Sequence, residues 1–401
     1  MKKKYTRKLS FYERLYIAGD KVCPPVLNQF FFDGSGVLDL PKWKEAVRAA
    51  SEANPGSRLV LKGVLGGAYW EDSGQTPSVI ELDGADWASH TPNGMPPHFK
   101  TTFDVKKGPT CEVVLLRGNP LRVVFRTHHS TMDGMGTLVW AEDVFRALRG
   151  EPLLGSESAV TDLEVARAMQ KEYRTPFPFD NLTPTGKAQG NEKGVAYYRT
   201  SRKGKFHMLI GQAAVLSARE AWKHRDGKVR FSVPVDLRRH MKGIRSTGNL
   251  TMLIHFEVTK ESTPESISQI IKKQLEENRE CMIDRGDTLL SHVPFWIIQN
   301  RWKKMGPVYH NRGLYRNSGV ISNMGRMPPM HLFSGGGFQA EYYWAIPPGY
   351  DHIPFFLGMA STGDRLVFTT SMPKVLASNG RIEKVTEDIM AGLVPAPPKK
   401  E

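Results

Sequence analysis

Leu121–Gly134 reads LRVVFRTHHSTMDG, and the order of residue types within it decides the fold. Its first half, Leu121–Thr127, is β-rich and follows a similar run, Cys111–Arg117 (CEVVLLR), across Gly118-Asn119-Pro120. Two such runs joined by turn residues predict a hairpin. The second strand runs straight into His128 and His129, with Asp133 and Gly134 close behind. Leu138, Ala141, Phe145 and Leu148 then recur at helical spacing until Gly150 supplies a stop. HHxxxDG therefore sits on a turn between a strand's end and a helix's start, where a rigid frame can present reactive groups.

The residue types suit acyl transfer. An alcohol or amine must lose a proton to attack a carbonyl. The base must be unprotonated near neutrality, and histidine, with a reference pKa of about 6.5, meets that condition. A thiolate leaving group of pKa about 8.5 departs without a dedicated acid. One histidine can thus serve the whole transfer from a thioester. Asp133 reads as a structural carboxylate that needs a buried cation. Gly134 permits the tight turn into the helix.

Upstream, Asp39 and Pro41 open a helix whose Leu40, Trp43, Val47 and Ala50 share a face, and Asn54-Pro55-Gly56 ends it. Arg58–Leu61 reads as a strand. Downstream, 151–205 loses periodicity and gains Gly, Pro, Ser, Lys and Asn, broken only by a helical segment around 161–173. Strands follow at Val229–Val235, Asn249–Val258 and Gly319–Asn323. A helix begins at Thr263-Pro264, and a hairpin at 355–372 turns on Thr362-Gly363-Asp364, before a last helix at 382–393. This organisation predicts an N-terminal lobe over 1–175, a crossover linker over 176–205 and a C-terminal lobe over 206–401.

Composition narrows the class. With 40% hydrophobic and 24% charged residues in 401, a sizeable core forms without covalent staples. The three cysteines, Cys23, Cys111 and Cys281, form no CxxC pair, so neither a disulfide framework nor a zinc ribbon is expected. Adjacent His128 and His129 on a strand point to opposite faces and make a poor metal pair, so no metal is expected. No run approaches the roughly 20 apolar residues of a membrane span, and no signal-like apolar segment follows Lys2–Lys4. A cytoplasmic location is expected. The net charge of +14 is dispersed, and no nucleic-acid module accompanies it. A phosphate-bearing donor or an acidic carrier protein would feel the same field. GxSxG, GxxxxGK[ST] and HExxH are all missing.

HHxxxDG, its strand–turn–helix setting and the two-lobe layout resemble the chloramphenicol acetyltransferase-like superfamily, which includes nonribosomal peptide synthetase condensation domains. Pro234-Val235-Asp236-Leu237-Arg238 with Gly248-Asn249 is similar to a PVxLR…GN segment of that family. Ile321-Ser322-Asn323-Met324-Gly325 is similar to its SNxG strand. The resemblance implies an α/β (α+β) fold of two αβ lobes in a V, with a central tunnel and His129 at its middle. It makes His129 the general base, has His128 shape the site, and implies an ion pair from Asp133 to Arg238. It also implies a co-substrate, acyl-CoA or an acyl-phosphopantetheine on a carrier protein, and no tightly bound cofactor. The acceptor would be a small alcohol or amine, and the setting natural product biosynthesis. The DFGWG segment of the plant branch is missing, and with no adenylation or carrier domain alongside, a stand-alone monomer is expected. A non-catalytic module that binds a carrier protein, or a cyclisation or epimerisation catalyst on the same fold, are the alternatives.

Plainer readings stand beside these. A lone HxxxD is usually a buried histidine in a core; the doubled His, the Gly and the flanking elements favour catalysis. Asn249, Ser322 and Asn323 are candidate substrate-binding residues, yet Asn249 and Asn323 can simply satisfy strand ends. Ser322 is the candidate donor to a developing oxyanion. Tyr342-Tyr343-Trp344 and Tyr350 read as half core, half rim of an acceptor pocket, and Phe295–Ile298 as core.

Overall fold

The computed structural model describes residues 4–286 and 291–397. Two large sheets organise it. The first has five strands in the order Phe338–Ile346, Leu27–Gly36, Leu121–His128, Cys111–Arg117, Ser78–Asp83. The second has six, in the order Thr251–Val258, Val229–Asp236, Gly319–Arg326, Phe356–Thr362, Arg365–Pro373, Val195–Lys203. Both are mixed, and helices pack on them to make two αβ lobes.

The hairpin signal is realised as an antiparallel pair with Val113 opposite Phe125 and Leu115 opposite Val123. Leu121–His128 is buried almost throughout because both its faces are covered. Phe125 and Val123 pack under helix Gly134–Leu148, while Val124 faces Phe31 and Trp344. Helix Leu40–Ala53 is capped by the Asp39 carboxylate and lays Trp43, Ala46, Val47 and Ala50 on the same core. Burying each large side chain of this kind contributes about 1.5–3 kcal/mol.

Two elements depart from the sequence reading, and a third, the helix Phe11–Asp20, lies where no element was read. Val195–Lys203, placed within the 176–205 crossover, is the edge strand of the six-stranded sheet and pairs along its length with Arg365–Pro373. Phe295–Arg312 is a helix on which Trp296 is 62% exposed and Ile297 40%, so this run is not core; only Ile298 of the four apolar residues is buried. Its apolar residues are consecutive, and consecutive residues on a helix spread around the axis.

Strand Phe338–Ile346 reaches from the C-terminal half of the chain and pairs with Leu27–Gly36 of the first sheet. The lobes are further joined by a core in which Phe31, Trp87 and Trp344 meet Tyr197 and Val367. Among the described residues no helix is long and apolar enough to cross a membrane.

Candidate active site

The turn after Leu121–His128 is held on both sides. The His129 N–H donates to the Val26 carbonyl (3.1 Å), and its carbonyl accepts from Asn249 Nδ2 (2.8 Å). One contact comes from each half of the chain, so the backbone of His129 is fixed at their junction.

His128 faces the opposite way and does not line the cavity described below. It is 1% exposed; its Nδ1 lies 2.6 Å from Ser130 Oγ and accepts from the Ser130 N–H at 3.2 Å. Its Nε2 lies 3.7 Å from Asp20 Oδ2. Asp20 also accepts from the Val26 N–H and Thr102 Oγ1. His128 therefore anchors the strand end that presents His129.

Asp133 caps helix Gly134–Leu148 by accepting from the Gly136 N–H (2.7 Å). Its two oxygens also accept from Arg238 Nη1 (3.0 Å) and Nη2 (3.1 Å), a bidentate pair. The Leu250 N–H and Thr251 Oγ1 complete the shell at 2.7 and 2.9 Å. Burial raises the Asp133 pKa, but the Arg238 guanidinium and the remaining donors outweigh it, and the carboxyl stays below its usual range. Arg238 spends its other N–H groups on Asp236 and on the Ser246 and Gly248 carbonyls. It lies behind the site, not in the cavity.

The same loop approaches the helix so closely that Gly136 has no room for a side chain: a Cβ there would lie 2.3 Å from the Thr247 carbonyl oxygen. Both partners are backbone, so neither yields cheaply. Gly136→Ala is expected to cost about 1–3 kcal/mol, as overpacked core substitutions do. A thermal unfolding curve matching wild type would contradict the close approach.

His129 itself lines a cavity of about 410 Å³ between the two sheets. Its Nδ1 is buried with no hydrogen-bond partner. With Nδ1 shut off from solvent, Nε2 is the nitrogen left to serve the cavity. Burial pushes the ring pKa down to about 4, against smaller upward pulls from its own backbone and Asp133. The ring is therefore neutral at pH 7. Tyr16 stacks on it, centroids 4.2 Å apart and planes within 16°.

Gly134, Ser322 and Asn323 line the cavity with His129 and Asp133. Asn323 Oδ1 accepts from the Gly325 N–H (2.9 Å), which turns its acceptor toward its own strand end. Asn249 does not line the cavity; it acts through the His129 carbonyl. The remaining walls are mostly apolar, with Phe30, Met324, Tyr343, Trp344, Ile346 and Val367 among them, and Arg174 and Asp236 add charge.

Tyr16 and Thr251 were not among the residues singled out from sequence. Tyr16 had a signal: Ser10 and Glu13 form a capping box at the start of its helix. Thr251 had none, because only the Leu250 turn aims its hydroxyl at Asp133.

No family model and no curated protein matches the chain. Solved structures do. The condensation domain of the Monacolin K polyketide synthase MokA superposes with TM-score 0.64 at 13% identity, covering 96% of each chain. A variant of the starter condensation domain of rhizomide synthetase RzmA, in complex with C8-CoA and Leu-SNAC, gives 0.64 at 14%, covering 97% of this chain and 94% of that one. The epimerization domain from the third module of tyrocidine synthetase B gives 0.58 at 13%. The chain has the chloramphenicol acetyltransferase-like fold. The cavity that His129 lines takes its walls from both halves of the chain.

Proposed function

We propose that this protein is an acyltransferase. It moves an acyl group from a CoA or carrier-protein thioester to a hydroxyl or amine, with His129 as general base. The observation that carries this reading is a neutral imidazole, fixed by both halves of the chain, with one nitrogen free toward a largely apolar cavity. That a neighbour of the same fold was solved with C8-CoA and Leu-SNAC supports thioesters on both sides of the reaction.

The acceptor O–H or N–H gives its proton to Nε2 as its heteroatom bonds to the thioester carbonyl carbon. The carbonyl oxygen becomes an oxyanion, and Ser322 on the cavity wall is our assigned donor to it. Collapse breaks the C–S bond and releases a thiolate, which takes the proton back from the imidazolium. Ester or amide and free thiol result, and His129 is restored. Asp133 and Arg238 hold the turn, and Asn249 orients the His129 carbonyl. We take the chain to act as a monomer in natural product biosynthesis, its +14 charge drawing the phosphates of CoA or an acidic carrier protein.

The test is release of free thiol from short, medium and long acyl thioesters of CoA and of a carrier protein, each with an alcohol and an amine acceptor, read with a thiol reagent. Acceptor-dependent release with a matching acylated product supports the reading. Failure of every CoA and carrier-bound thioester to release thiol rejects it.

The His129 environment adds a pH signature. The base works only when unprotonated, so activity is lost as pH falls through its pKa in the free enzyme. Since burial moves that pKa from 6.5 to about 4, kcat/KM should stay level from pH 8 down to about 5 and fall near 4. An acid limb centred near 6.5 would mean that the ring is solvated.

A further inference from the structure

Two short turns far apart in sequence place three metal-ligating side chains together. Leu237–His240 is the turn that carries Arg238, and Arg279–Cys281 lies against strand Thr251–Val258 and helix Asp162–Met169. Between them, His240 Nε2 lies 2.9 Å from Glu280 Oε1 and 3.7 Å from Cys281 Sγ. One ligand atom from each residue falls within 4.8 Å of the other two. Glu280 is fully buried, and its Oε2 has no hydrogen-bond partner. A carboxylate with a free oxygen inside a protein is costly unless something binds it.

We propose that His240, Glu280 and Cys281 form a binding site for one divalent transition-metal ion of zinc type. The ligand set fits: imidazole nitrogen, carboxylate oxygen and thiolate sulfur are zinc's three protein donors. The spacing fits as well. Tetrahedral bonds of zinc length put N and S about 3.6 Å apart and N and O about 3.3 Å apart, against 3.7 and 2.9 Å here. The ion would replace the His240–Glu280 hydrogen bond, opening that gap by a few tenths of an ångström. Water would fill the fourth position and donate to Oε2, the carboxylate oxygen without a partner.

Charge balances. On binding, the Cys281 thiol releases its proton to solvent and the sulfur bonds the metal, beside a carboxylate oxygen and an imidazole nitrogen. Two negative ligands cancel the dication, which a buried site requires. In the metal-free form Arg239 Nη1 lies 3.3 Å from Glu280 Oε1; its side chain is 38% exposed and its Nη2 donates to the Leu275 carbonyl (3.0 Å), so on metal binding it can keep that bond while the carboxylate turns to the ion. The ion would tie the Arg238 turn to strand Thr251–Val258, the two elements that hold Asp133. Its function is structural, and it is independent of the acyl-transfer reading.

The test titrates the reduced, chelator-treated full chain with Co²⁺ and follows the thiolate-to-cobalt charge-transfer band. The expected result is saturation at one ion per chain, displacement by Zn²⁺, and no band in Cys281→Ser. Cys23 and Cys111 remain in that variant as internal controls. Glu280→Gln, which keeps the size of the side chain, should weaken binding at least tenfold. Zn²⁺ should raise the wild-type Tm and leave that of Cys281→Ser unchanged. No thiolate band in the wild type overturns the proposal, as does a band that survives in Cys281→Ser.

Discussion

His129→Ala is expected to lower the rate of acyl transfer by about 10²–10⁴-fold, the usual contribution of a general base, with little change in thermal stability. The stability half of this expectation follows from position. The ring borders a cavity of about 410 Å³, so removing it enlarges a space that already exists rather than opening a void in packed core. Both backbone bonds at residue 129, to Val26 and from Asn249, survive the substitution. The kinetic half follows from the same geometry, because no other imidazole borders the cavity among the described residues. Rates of thiol release and far-ultraviolet melting curves, measured on the same preparation, decide it. Undiminished turnover would reject the mechanism; a collapsed fold would show that His129 is a packing residue.

What the sequence disclosed follows the range of the interactions involved. The hairpin, the HHxxxDG turn and the capped helices at 40–53 and 134–148 depend on neighbours within a few residues, and all stand where periodicity and turn chemistry put them. The Asp133–Arg238 contact spans 105 residues and was legible only through the resemblance, since no local rule links the two. The edge strand Val195–Lys203 was hidden for a related reason. Its Arg, Thr, Ser and Lys residues look like linker, and only pairing with Arg365–Pro373 makes them a strand. No local rule singles out Gly136; its need for a bare Cα comes from the Thr247 carbonyl, more than 100 residues away in the chain. The grouping of His240 with Cys281 likewise had no sequence signature, because it arises where two turns abut.

Arg238→Ala is expected to destabilise the fold by about 3–5 kcal/mol at pH 7, the cost of leaving a buried charge without its partner. Asp133 is 1% exposed, and Arg238 supplies the largest of the effects that hold its carboxyl ionised. Because that effect is electrostatic, the loss should depend on pH in a calculable direction. In the wild type the Asp133 pKa is lowered below 3.8, so its stabilisation is complete above 3.8 and disappears only as pH falls through the lower, folded value. Without Arg238, burial dominates and the folded pKa moves above 3.8. The variant then loses stability as pH rises from 3.8 through that raised value, and regains it on acidification. The stability difference between wild type and Arg238→Ala should therefore be largest at pH 7 and shrink toward pH 4. Asp133→Asn, whose single oxygen can still accept from the Gly136 N–H but leaves no acceptor for the Leu250 N–H, carries no charge; it should lack this dependence on the carboxyl and keep the helix cap, worth about 0.5–2 kcal/mol, that Asp133→Ala forfeits. Urea unfolding of the four proteins at the two pH values measures every term. A difference between wild type and Arg238→Ala that stays constant from pH 7 to pH 4 would show that Arg238 acts through packing and its carbonyl contacts rather than through the charge on Asp133.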